Sequence, residues 1–391
     1  MERSISTKCI HLEGERKGGH FGAVSYPIYQ TATYVHEGVG RSTGYDYSRL
    51  QNPTREQLEK IVASLEKGVD ALAYSTGMAA IAALMELFRP GDHLIVEADL
   101  YGGSIRLFDN VSKKNGLSFT SLDCSREDVE ACITEKTRAI YIETPTNPMM
   151  NVTDIAKLSR IAKAHGLWLI VDNTFLSPYF QNPLALGADV VVHSGTKYLG
   201  GHNDTLAGFL VTSSLEISSR LRFLIKTTGA GLAPFDSWLV IRGIKTLAVR
   251  MEKAQANARE IVGWLLGQQA VKKVIYPGLE SHPGYEIMRR QSRGFGAMLT
   301  FEVESREFAL SILEKVRLIQ YAESLGGVET LITYPLTQTH ADVPEEIRER
   351  NGITERVLRL SVGIEDVKDL IGELQEVFHR TEEELYGGEK S

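Results

Sequence analysis

The chain has 391 residues, 43% of them hydrophobic and 24% charged, with 35 glycines and a formal net charge of −7. That length exceeds one small domain and supports a large core, and the acidic balance argues against a nucleic-acid partner, which needs a basic face. Cys9, Cys124 and Cys132 lack CxxC spacing and the ten histidines are scattered, so neither a disulfide framework nor a metal centre is expected.

The first twenty residues, MERSISTKCIHLEGERKGGH, are charged throughout and contain no apolar leader core. No apolar run approaches the ~18 residues of a membrane span, and a cytoplasmic protein without membrane contact is expected. Residues 1–58 carry little periodicity and read as an arm. From 59 to about 212 short apolar runs alternate with amphipathic stretches, within an α/β domain read as 59–250. HLIVEADL (93–100), AIYIETP (139–145), LWLIVDN (167–173) and ADVVVHS (188–194) read as buried strands. Between the second and third, Ile155, Leu158, Ile161 and Ala162 fall on one helical face. This alternation predicts a mostly parallel sheet with helices on both faces.

Trp238, Ile241, Ile244, Leu247 and Met251 recur at helical spacing, predicting one long helix from Asp236 to about Leu266. Residues 251–391 then read as a smaller α+β domain. GAMLTFEVES, LITYP and VLRLSVGIE supply strands and VKDLIGELQEVFHR a closing helix, followed by a fraying tail, TEEELYGGEKS.

In parallel α/β sheets ligands bind at the carboxyl ends of the strands. Asn147 follows one such end, Asp172 closes another, and Ser194, Thr196 and Lys197 follow a third. The turn YSTGMAAIAALMELF opens a helix with Ser75, Thr76, Gly77 and Met78, where free amides and a glycine make a phosphate site. Singly, such residues are commonly caps or solvated charges. Gathered at strand ends, they ask for a phosphorylated cofactor, a buried carboxylate and a nucleophilic amine. Pyridoxal phosphate meets that demand, with Lys197 taking the aldehyde and Asp172 the pyridine nitrogen.

The wording of the chain also resembles a family. ETPTNP, LGADVVVHSGTKYLGGHND, DSWLVIRGIKTLAVRM, AESLGGVETL and LRLSVGIED look like the Cys/Met-metabolism branch of pyridoxal-phosphate enzymes, over about residues 6–380. The resemblance implies fold type I, the aspartate-aminotransferase-like architecture. It implies that Lys197 is the Schiff-base lysine, that Asp172 partners the pyridine nitrogen, and that Tyr101 stacks on the ring. Gly77, Met78, Ser194 and Thr196 match phosphate positions, while Arg359 matches the arginine that grips the substrate α-carboxylate, a bidentate task. Asn147 and Ser324 match further active-site positions. Tyr47 and Arg49 match residues that reach the neighbouring subunit's phosphate, implying a dimer that is usually doubled to a homotetramer.

Within the family, the arm RSTGYDYSRLQNPTR and the GGHND and APFDSWL wording are most similar to the cystathionine γ-synthase branch. The implied reaction replaces the acyl group of an O-acylhomoserine with cysteine; cystathionine γ- or β-lyase and O-acetylhomoserine sulfhydrylase activities are the alternatives. Arg106, in LYGGSIRLF, is expected to meet a second substrate carboxylate. Gly103 stands where methionine γ-lyases commonly place a cysteine, which disfavours that activity. Thr76 and Gly195 replace the more usual Ser and Ala.

Overall fold

Strand chemistry builds the larger layer of the protein. The computed structural model describes residues 3–11, 19–341 and 343–387. Seven strands, β1 (Asp70–Tyr74), β2 (His93–Glu97), β3 (Ser118–Leu122), β4 (Thr137–Glu143), β5 (Trp168–Asp172), β6 (Val190–Ser194) and β7 (Gly208–Thr212), form one sheet in the order β1-β7-β6-β5-β4-β2-β3. Only β7 runs against its neighbours, so the sheet is mostly parallel as expected.

Alternate residues of β4 go to opposite sides. Ala139 and Tyr141 join a cluster with Ile81, Leu84 and Leu221, whereas Ile140 and Ile142 pack with Ile155 and Leu158. Helices therefore cover both faces, which explains why the strands read as continuous apolar runs. Of the helical stripe proposed over 155–162, Ile155, Leu158 and Ala162 are buried and Ile161 is half-buried.

The second sheet contains β8 (Val271–Ile275), β9 (Met298–Val303), β10 (Gln320–Tyr321), β11 (Leu331–Thr333) and β12 (Val357–Ser361), ordered β10-β11-β12-β9-β8. Phe308 and Ile312 of one helix and Leu370, Leu374 and Phe378 of another bury its apolar face.

Several expectations need correction. The long helix is two, Pro234–Ile244 and Leu247–Leu266. At the junction the Gly243 carbonyl accepts from the Thr246 amide at 3.1 Å and from Arg250 Nη2 at 2.8 Å, which tightens the turn and ends the first helix. The arm is not wholly irregular: Ile5–Ile10 is helical, and the Pro53–Glu66 helix starts before residue 58, capped by Asn52. The closing helix runs on through Tyr386, because Thr381 is buried against Ser311 (2.9 Å) and Tyr386 Oη donates to Glu304 (2.9 Å). The last four residues of the tail lie outside the described residues. Five strands escaped the periodicity, among them β8, whose centre is two exposed lysines, and the two-residue β10. β1 is alanine-rich, β3 is a half-exposed edge, and β7 follows a glycine-rich turn.

Candidate active site

The carboxyl ends of β4, β5 and β6 deliver Glu143, Asp172 and Ser194 to one wall of a cavity of about 360 Å³. The turn after β6 adds Thr196 and Lys197; the Gly77–Met85 helix adds Gly77 and Met78; the second sheet contributes Glu323, Ser324 and Arg359. Tyr101 and Asn147 complete the enclosure from two loops.

The glycines after Lys197 have a packing reason. Gly201 takes φ +72°, and a Cβ there would fall 2.0 Å from Arg250 Nη1. That guanidinium donates to the carbonyls of Tyr198 (2.7 Å) and Gly243 (2.8 Å) and so holds the lysine turn against the first of the two helices. Gly77 lies so close to Ser194 that a Cβ would meet its Cβ at 3.2 Å. The Thr76 hydroxyl caps Ala79 N–H at 2.9 Å, while Gly77 and Met78 open the helix on the cavity wall.

Lys197 Nζ donates to Ser324 Oγ at 2.8 Å, across the two sheets. Burial, reinforced by the Arg359 charge, lowers its pKa to about 8, which favours the nucleophilic neutral amine. Ser324 itself holds φ +117°, a sparsely populated conformation, and its carbonyl accepts from Arg359 Nη2 at 2.8 Å. Asp172 is buried, which raises its pKa, and two bonds from Thr174 act the other way: the amide at 3.0 Å and the hydroxyl at 2.6 Å. An acid so placed gains from a cationic ring nitrogen set against it.

Arg359 is 1% exposed, the largest fully buried side chain described. Nη1 donates to Asn147 Oδ1 at 2.9 Å and Nη2 also reaches Thr333 Oγ1 at 3.0 Å, but Nε has no partner. A buried guanidinium with a spare donor is an anion site. Burial lowers its pKa to about 10, still far above neutrality.

These groups fit pyridoxal phosphate: an amine of depressed pKa, a buried carboxylate, and a glycine cradle beside Ser194 and Thr196 for a phosphate. Of the residues singled out in the sequence, Gly77, Met78, Tyr101, Asn147, Asp172, Ser194, Thr196, Lys197, Ser324 and Arg359 line this cavity. Ser75 of the phosphate turn does not line it, and three family-matched residues lie elsewhere. Arg106 is exposed on the Gly102–Leu107 helix, outside that wall. Tyr47 is 44% exposed on the arm, and Arg49, also exposed, sits over its ring and donates to the Lys226 carbonyl. Glu143, Thr174 and Glu323 were missed. Glu143 and Thr174 stand at the same strand ends as Asn147 and Asp172, within reach of the strand-end rule. Glu323 comes from a loop of the second sheet and gave no signal beyond its place before Ser324.

The chain belongs to the Cys/Met metabolism PLP-dependent enzyme family, whose model matches residues 6–379. Pyridoxal phosphate is therefore its cofactor and fold type I its architecture. Among its relatives, a cystathionine beta-lyase of Lactococcus lactis subsp. cremoris is 50% identical over 96% of this chain and 99% of its own. A cystathionine gamma-lyase of Bacillus subtilis is 50% identical over 94% and 97%. The crystal structure of a cystathionine gamma synthase from Xanthomonas oryzae pv. oryzae in complex with aminoacrylate and cysteine superposes with a TM-score of 0.94, at 38% identity over 98% and 99%. The chain is thus a transsulfuration enzyme of the cystathionine lyase and synthase group. Among the described residues, no helix is long and apolar enough to cross a membrane.

Proposed function

We propose that the protein is a cystathionine γ-synthase, replacing the acyl group of an O-acylhomoserine with the thiol of cysteine. The observation that carries the site reading is the spare Nε of buried Arg359, in the same cavity as the Lys197 amine. Arg359 holds the α-carboxylate of the amino-acid substrate, and Asn147 fixes the guanidinium from behind. Bound pyridoxal phosphate supplies the electron sink that makes Cα–H and Cβ–H acidic. Lys197 Nζ moves protons at those carbons, oriented by Ser324 Oγ. The Cγ–O bond breaks and the acyloxy group leaves as a carboxylate, the sulfur of cysteine bonds to Cγ, and the thiol proton passes to solvent. Glu323, on the wall near Lys197 and Arg359, offers a counter-charge for the second ammonium that cysteine brings.

In this reading Asp172 holds the pyridine nitrogen, Tyr101 covers the ring, and Gly77, Met78, Ser194 and Thr196 take the phosphate. Residues 1–58 form an arm that carries Tyr47 and Arg49 to a neighbouring subunit, 59–250 the cofactor domain and 251–391 the C-terminal domain; the assembly is a homotetramer of two such dimers. The exposure of Tyr47 and Arg49 supports a role away from their own cavity. The γ-synthase-like wording supports the synthase direction, while Arg106 suits a substrate with a second carboxylate, O-succinylhomoserine and cystathionine alike. Half-identity to cystathionine lyases supports a second reading, cleavage of cystathionine by the same residues. Product analysis decides between them: cystathionine formed from O-acetylhomoserine and cysteine supports the synthase, whereas thiol and keto-acid release from cystathionine alone, without synthesis, overturns it.

A further inference from the structure

We propose that Glu143 is the positioning residue for Tyr101, fixing the aromatic wall of the cofactor cavity through a backbone hydrogen bond. The inference rests on the reading of Tyr101 as the residue that covers the cofactor ring. Tyr101 stands at the N-cap of the Gly102–Leu107 helix, and its own side chain supplies no cap. Its amide donates instead to Glu143 Oε2 at 2.9 Å, across 42 residues of sequence. An acceptor at this point satisfies one of the orphan donors of a helix start and fixes where the helix begins. The beginning matters because the next two residues leave little room. A Cβ on Gly102 would lie 2.3 Å from the Thr339 carbonyl, and one on Gly103 would lie 2.5 Å from Cε1 of Tyr101 and 3.0 Å from Met78 Sδ. The Tyr101 ring therefore lies over Gly103 and close to Met78, and a shift of its backbone carries the ring with it.

Glu143 is also in register with Asp172 on the neighbouring strand, so two carboxyl groups face one cavity side by side. Two adjacent buried carboxyls resist double ionisation. Burial first and the Asp172 charge second raise the Glu143 pKa well above the carboxylate range; the Tyr101 amide pulls the other way, and Asp99 and Glu97 add smaller upward pushes. Asp172 has the two Thr174 bonds to support its anion. Of the two, Asp172 has the better-supported anion, and Glu143 is the one pushed harder towards its neutral acid. A neutral acid there accepts the Tyr101 amide without competing with Asp172 for a cationic ring nitrogen.

A neutral amide reproduces both properties. We expect Glu143→Gln to retain pyridoxal phosphate affinity within about threefold and Glu143→Ala to weaken it about tenfold, the equivalent of one hydrogen bond. The measurement is titration of the apoprotein with pyridoxal phosphate, read by tyrosine-sensitive fluorescence and by the visible circular dichroism of the bound cofactor. Combining Glu143→Ala with Tyr101→Ala should cost no more than Tyr101→Ala alone, since both act through the ring. If Glu143→Ala does not fold, Glu143→Asp, whose shorter arm withdraws the acceptor, replaces it. Additive losses, or Glu143→Gln as damaging as Glu143→Ala, would overturn the proposal while leaving the Tyr101 reading intact. An unchanged affinity in Tyr101→Ala itself would overturn both.

Discussion

Arg359 on β12 and Asn147 after β4 are joined by a 2.9 Å hydrogen bond that spans 212 residues of sequence. It connects the second sheet to the loop that closes the first, in the wall of the cavity. Arg359→Lys keeps a charge but loses the fork that serves Asn147, Ser324 and Thr333 together. Its kcat/KM for every amino-acid substrate should fall about ten- to a hundredfold, the worth of one charge-assisted hydrogen bond. Steady-state kinetics with two unrelated substrates checks this, and a loss confined to one of them would contradict it.

Lys197 gives a prediction in pH. Its folded-state pKa, about 8, lies below the ordinary 10.5, so the unfolded chain binds the extra proton. For such a depressed base, stability of the cofactor-free protein rises as pH climbs from about 8 to 10.5 and is flat below that window. In urea titrations Lys197→Met should lack this part of the slope, and identical slopes in the two proteins would refute the buried amine. Borohydride reduction of the holoenzyme, followed by peptide mapping, should place the cofactor on Lys197 alone.

The arm can be tested by complementation. Arg49→Ala should release cofactor readily while its Lys197 stays reactive, and Lys197→Ala should be inactive. Mixed dimers of the two should regain activity at one of two sites, because each lacks what the other supplies. No recovery on mixing would mean that Arg49 serves its own chain.

Arg106→Ala separates donors. O-succinylhomoserine carries a second carboxylate and should lose about ten- to a hundredfold in kcat/KM. O-acetylhomoserine lacks it and should lose much less. Equal losses would make Arg106 structural, in keeping with its place outside the cavity wall.

Gly201→Ala should destabilise the protein by on the order of 3 kcal/mol, combining a strained φ with displaced charge-assisted bonds. The displaced group is Arg250, and chemical denaturation of the holoenzyme should register the change; a shift under about 0.5 kcal/mol, the range of ordinary surface substitutions, would contradict the packing argument.

Much of this architecture was legible in the sequence because buried parallel strands leave unbroken apolar runs, and because strand ends are where polar residues converge. Lys197, Asp172 and Asn147 could be found by that rule alone. Ser324 and Arg359 could not: one is a serine in a loop and the other an arginine in an apolar strand, and only the family resemblance singled them out. The helix break at Gly243 was invisible for a related reason. Its cause is Arg250 reaching back to a carbonyl, a tertiary contact that leaves the helical spacing of Trp238 to Met251 untouched. Tyr47 and Arg49 mark the other limit, where the family wording points to a surface that a single chain does not enclose, and Arg106 lies outside the cavity in which it was expected.

The bond from Lys197 to Ser324 has a consequence for assembly. The amine belongs to the first sheet and its hydroxyl partner to the second, so neither half alone presents a complete receptor. Cofactor capture is therefore a test of docking: a chain whose C-terminal half has not yet seated has a lysine but no tether for it. Saturating pyridoxal phosphate should draw such half-docked chains into the finished form by mass action. Refolding yield would then depend on cofactor concentration even where each sheet forms readily without it.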